Sequence, residues 1–93
     1  MAQVKPSGII TLLTDFGFEG PYVGIMHGVI LSRFPEALIV DATHEIAPQD
    51  VREGCFWLAE CAFAFPQGTV HVAVVDPGVG TSRAALAAEA DGQ

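Results

Sequence analysis

Three stretches of this chain share one pattern: "IITLLTD" from Ile9 to Asp15, "ALIVD" from Ala37 to Asp41, and "VHVAVVD" from Val70 to Asp76. Each is a short, mostly apolar, β-branched run that ends on an aspartate. Such runs predict strands buried on both faces of a parallel sheet, with the carboxylates at strand carboxyl ends. Between the first two, "PYVGIMHGVILSRF" places Tyr22, Met26, Val29 or Ile30, and Phe34 at helical spacing before Pro35 stops the pattern. Gly24 and Gly28 fall at i and i+4 on that helix, where the absence of side chains predicts close packing. Between the second and third strands, "PQDVREGCFWLAECAFAF" opens with Asp50 and Glu53 in a capping arrangement. It continues with Val51, Cys55, Leu58 and Ala62 on one stripe and ends at Pro66.

The order β-α-β-α-β follows, an α/β fold of the Rossmann-like, parallel-sheet kind. Right-handed crossovers bring the strand ends to one edge, where such sheets bind ligands. The last run, "AALAAEADGQ", is ambiguous, since its alanines favour helix while its place after a turn suits a short strand; it is read as a fourth strand finishing in "ADGQ", a turn signal that leaves the chain cut off in a following hairpin.

Composition narrows the class. Apolar residues make up 51% of the 93 and charged residues 16%, too apolar for a disordered segment and rich in buried-strand material. Four basic residues against eleven acidic ones give a formal charge of −7, which argues against a nucleic-acid partner. No stretch reaches membrane-spanning length and the first residues lack a signal-peptide core, so a soluble cytoplasmic protein is expected. Cys55 and Cys61 lie about 9 Å apart along a helix and point in different directions, so two free thiols are expected.

The candidate chemistry sits at the strand ends. "DPGVGTSR" has Gly78 and Gly80 but Arg83 where a dinucleotide fingerprint needs its third glycine, and it lacks the Gly-Lys-Ser/Thr of a phosphate loop. Asp76 is either a turn-former or, if Arg83 folds back on it, a permanently ionised carboxylate beside a guanidinium, a polarised spot for a water. Asp15, in "TDFG", stands where acidic residues accept hydrogen bonds from ribose hydroxyls; the same position also caps turns. The kinase reading of "DFG" fails, since no glycine-rich or catalytic loop accompanies it. "DATHE" adds Asp41, Thr43, His44 and Glu45, read as a structural turn ahead of a metal site. His27 and His71 read as packed or surface histidines.

In order and spacing, "ITLLTDFG", "YVG", "HGVI", "IVDATHEIAPQDV" and "FPQGTVHVAVVDPGVGTSR" resemble the adenosine-forming S-adenosyl-L-methionine hydrolases. These are the SAM hydroxide adenosyltransferases, relatives of the fluorinating and chlorinating adenosyl enzymes. The match runs over nearly all of Ile10 to Glu89. The resemblance implies attack of water or hydroxide on C5′ of S-adenosylmethionine, with no metal and no cofactor. It implies Asp76 and Arg83 as two members of a water-holding set whose histidine lies beyond Gln93. Asp15, with Phe16 beside it, is implied to bind the substrate, Asp15 through the ribose hydroxyls. An ordinary aspartate is too weak a base to deprotonate water, so Asp76 is expected to orient it and Arg83 to stabilise developing hydroxide.

Gln49 is a further substrate-side position, standing where the halogenases carry an aromatic residue. Asp76 stands where they carry a tyrosine, which favours water over halide. Gly20 replaces an acidic residue near the methionine end, where Glu19 is a substitute. The resemblance further implies that residues 1–93 are the front of the catalytic α/β domain, that a β-rich second domain is absent, and that the full-length protein is a homotrimer. Alternatives are a non-catalytic nucleoside-binding module, a metal-dependent phosphohydrolase using Asp15, Asp41 and Asp76, and a 5′-halogenase.

Overall fold

The computed structural model describes residues 5–75 together with the backbone of a strand at 84–89. The elements run β1 (Ile9–Thr14), α1 (Tyr22–Arg33), β2 (Leu38–Thr43), α2 (Val51–Ala62), β3 (Val70–Val75) and β4 (Ala84–Glu89). The expected β-α-β-α-β order is observed, and the fourth strand is present. The sheet order is β2-β1-β3-β4, with β1 parallel to both β2 and β3 and β4 antiparallel to β3.

The apolar runs form strands because β1, at the centre, is covered on both faces: Leu12 and Leu13, which point opposite ways, are both buried. On one face Leu13, Ile46, Ala73 and Val75 form the core, with Leu58 of α2 packed against it. Asp41 pairs in register with Leu12 and bonds to His27 of α1, which places α1 on the opposite face.

Four expectations are corrected. Asp41 does not end its strand: β2 runs on to Thr43, because the β1–β2 register slips by one residue between Leu12 and Leu13, a bulge that carries the pairing past the carboxylate. The inward face of α2 is Gly54, Leu58, Cys61 and Ala62, so the expected stripe holds at Leu58 and Ala62 while Val51 and Cys55 are exposed. The reason is Gly54, where an added Cβ would lie 2.9 Å from Val75 Cγ2, so the helix comes closest to the sheet at the residue with no side chain. On α1, Met26, His27 and Ile30 turn inward while Tyr22, Val29 and Phe34 are more than half exposed. Gly24 and Gly28 look into open space, not onto a packed neighbour.

The capping reading of α2 holds in part. The Asp50 carboxylate accepts the Glu53 N–H at 2.9 Å, but Glu53 Oε1 accepts the Ala47 N–H at 2.6 Å instead of closing on the Asp50 amide. Cys55 and Cys61 are free thiols, and no described helix is long and apolar enough to cross a membrane.

Candidate active site

The crossover after β1 leads to β2 on one side, and the crossover after β2 returns to β3 on the other. The carboxyl ends of β1 and β3 therefore flank the point where the winding reverses, the crevice in which open α/β sheets take ligands. Asp15 stands there. Its N–H donates to the Val74 carbonyl at 3.3 Å, which ties it to β3, and its Oδ2 accepts the Gln49 N–H at 3.0 Å.

Gln49 has φ +65, a left-handed conformation uncommon for a residue with a side chain. It sits one position before the α2 cap, so its strained backbone turns its amide onto Asp15 while the chain enters the helix. Asp15 and Gln49, both expected on the substrate side and 34 positions apart, are thus brought into contact. Phe16 is half-buried beside them, its ring 6.2 Å from that of Tyr22. Asp76 and Arg83 lie outside the described residues. Their chain neighbours Val75 and Ala84 are partners in the β3–β4 ladder.

A second group of side chains underlies Asp15. Thr14 Oγ1 and His44 Nδ1 are 2.6 Å apart and both residues are fully buried. His44 Nε2 lies 2.7 Å from Asp41 Oδ1, and His27 Nε2 lies 3.0 Å from each Asp41 oxygen. Thr14 Oγ1 also accepts the Phe16 N–H at 3.1 Å. The sequence pattern puts Asp41 and His44 in a turn and does not single out Thr14. The only local signal is a Thr-Asp pair at one strand end and an Asp-x-x-His at the next. His71 is packed, as expected: it is buried, and its Nδ1 is 2.7 Å from Thr11 Oγ1.

Asp41 is thus committed to two imidazoles, and among the described residues no three acidic, histidine or cysteine side chains are grouped to hold a metal ion. Burial acts to raise its pKa, but hydrogen bonds from His44 and His27 and their charge attraction outweigh that and hold it below the ordinary 3.8. A depressed folded-state value means that the folded protein binds fewer protons than the unfolded chain. The stabilisation is full above the unfolded value and is lost as pH falls through the folded one. Asp41→Asn is therefore expected to be less stable than the parent at neutral pH. Urea unfolding followed from about pH 6 to about pH 3 should show that difference shrinking below the ordinary carboxylate value.

Comparison with known proteins identifies the family. Residues 10–93 match the family model described as the SAM hydroxide adenosyltransferase N-terminal domain. An (R)-S-adenosyl-L-methionine hydrolase from Thermus thermophilus is 46% identical over 79 residues, 85% of this chain and 31% of that protein. A fluorinase from Nocardia brasiliensis is 34% identical over 79 residues, 85% of this chain and 26% of that protein. The crystal structure of a conserved protein from Thermotoga maritima superposes with a TM-score of 0.73 at 46% identity, covering 80% of this chain and 28% of that one. The chain spans about a third or less of the length of these curated relatives.

Proposed function

Because the chain belongs to the SAM hydroxide adenosyltransferase family through its N-terminal domain, we propose that the full-length gene product hydrolyses S-adenosyl-L-methionine to adenosine and L-methionine. A water oxygen forms a bond to C5′, the C5′–S bond breaks with its electron pair passing to sulfur, and one proton is released. The sulfonium is a good leaving group, so the protein's task is to position the water and exclude competing solvent.

The observation that carries this reading is Asp15, a carboxylate at the winding-reversal crevice whose Oδ2 is fixed by the Gln49 amide. An ionised carboxylate is an acceptor-only group, the chemistry that a pair of ribose hydroxyls requires. Phe16 and Gln49 flank the same substrate. Asp76 orients the water and Arg83 stabilises negative charge developing on it. The pairing of Val75 with Ala84 supports this assignment, because Asp76 and Arg83 are each one peptide bond from a member of that pair. In this reading residues 1–93 are the front of the catalytic domain of a cytoplasmic homotrimer.

The test is a chromatographic assay of the full-length gene product with S-adenosylmethionine, with and without EDTA and chloride. Equal amounts of adenosine and methionine, unaffected by either addition, are expected. A chlorinated nucleoside, or loss of turnover with EDTA, would overturn the reading.

A further inference from the structure

Asp15 is held by more than its own bonds. The Phe16 N–H donates to Thr14 Oγ1, and the adjacent Gly17 N–H donates to the His44 carbonyl at 2.7 Å. Thr14 is in turn bonded to the His44 ring, and Phe18 lays its ring edge-on to that imidazole at 5.2 Å. His44 is thus the post beside which residues 14–18 are wound: its Nδ1 holds Thr14, its carbonyl holds Gly17 and its ring packs on that of Phe18. The Ile46 N–H adds a bond to the Thr14 carbonyl at 3.3 Å.

The polarity of the chain follows from its donors. The Asp41 carboxylate only accepts, which puts a hydrogen on His44 Nε2; in that tautomer Nδ1 accepts the Thr14 hydroxyl hydrogen while Thr14 Oγ1 accepts the Phe16 N–H. The Nε2–H then donates to the Asp41 carboxylate, which His27 anchors to α1. Every buried polar atom in this chain of bonds has a partner, and removing one member strands the others.

We infer that Thr14, His44 and Asp41 form a positioning element that sets the Asp15–Phe16–Gly17 turn for the adenosyl group. The inference rests on the proposed substrate role of Asp15. The same fold contains its control. Thr11 and His71 make an equivalent buried Thr–His bond at 2.7 Å, three residues back along β1 and on the face that carries Leu13 and Ala73. Losing it affects stability without touching the turn.

The experiment measures KM, kcat and unfolding midpoint in the full-length gene product, with calorimetric adenosine binding as a readout that needs no turnover. Thr14→Val is expected to raise KM and the adenosine Kd about tenfold with kcat within about threefold. Thr14→Ser, which keeps the hydroxyl, is expected to restore both, and Thr11→Val to lower the midpoint with KM unchanged. His44→Gln, which retains a donor toward Asp41 and loses the Thr14 bond, is expected to reproduce the Thr14→Val shift and serves if that variant does not fold. A parental KM and Kd for Thr14→Val, or an equal rise for Thr11→Val, would overturn the inference. Asp15→Ala separates the two levels. If it too binds adenosine as the parent does, the role of Asp15 fails, whereas a large loss there beside a parental Thr14→Val fails the positioning element alone.

Discussion

Arg83→Ala in the full-length gene product is expected to lower kcat for S-adenosylmethionine hydrolysis about 100- to 1,000-fold, with KM within about threefold. In the proposed mechanism negative charge develops on the attacking oxygen as the water gives up its proton, which happens only on the way to the transition state. A guanidinium facing that oxygen therefore interacts more strongly with the transition state than with bound substrate, and such a group acts on kcat. Asp76→Asn should behave alike, because the amide can still contact the water but no longer fixes it with two equivalent acceptor oxygens. Steady-state kinetics and adenosine calorimetry on the two variants make the check. A variant that loses adenosine binding in step with turnover would move its residue from the nucleophile to the nucleoside side of the site. Turnover at the parental rate would remove it from the mechanism.

Gly68→Ala is expected to be the most damaging single methyl group in the described structure. Gly68 has φ +86, a conformation that costs a residue with a Cβ about 1–2 kcal/mol. The added Cβ would also overlap the Lys5 carbonyl oxygen and lie 3.1 Å from the Ser7 nitrogen. These obstacles are backbone, so neither can rotate away. What they protect is the join between the amino-terminal segment and the entrance to β3. The Ser7 N–H donates to the Gly68 carbonyl at 3.2 Å, Ser7 Oγ bonds Thr69 Oγ1 at 3.0 Å, and Ile10 then falls into register with Val70. Strain and displacement together should lower stability by about 2–4 kcal/mol, read as a fall in unfolding midpoint of roughly 10 °C or more. A midpoint within about two degrees of the parent would show that the join relaxes at no cost.

The three parallel strands are legible in the sequence because strands covered on both faces need unbroken apolar runs, and such runs are visible one segment at a time. Helix faces are less legible. Hydropathy assigns Cys55 inward, but Gly54 decides where α2 touches the sheet, and a glycine carries little apolar signal. Asp41 is expected at a strand end because its run stops there in hydropathy. The bulge between Leu12 and Leu13 belongs to the pairing of two strands and cannot be read from either one alone. In the site, Asp15 stands out because it closes an apolar strand within "TDFG", where the family resemblance gives a strand-end carboxylate a substrate. Thr14 with His44 does not, since their bond spans 30 positions and each is ordinary in its own segment. For Asp76 and Arg83 the motif "VDPGVGTSR" and the family membership carry the assignment.

The central place of β1 also bears on how the protein is made. Its β3 neighbour lies about 60 positions downstream, as between Thr11 and His71. At ordinary synthesis rates of about 5–20 residues per second, that partner leaves the ribosome roughly 3–12 s after β1 does. Until then the most buried of the three parallel strands can pair only with β2, 29 positions downstream as between Ile9 and Leu38, and its other edge stays bare.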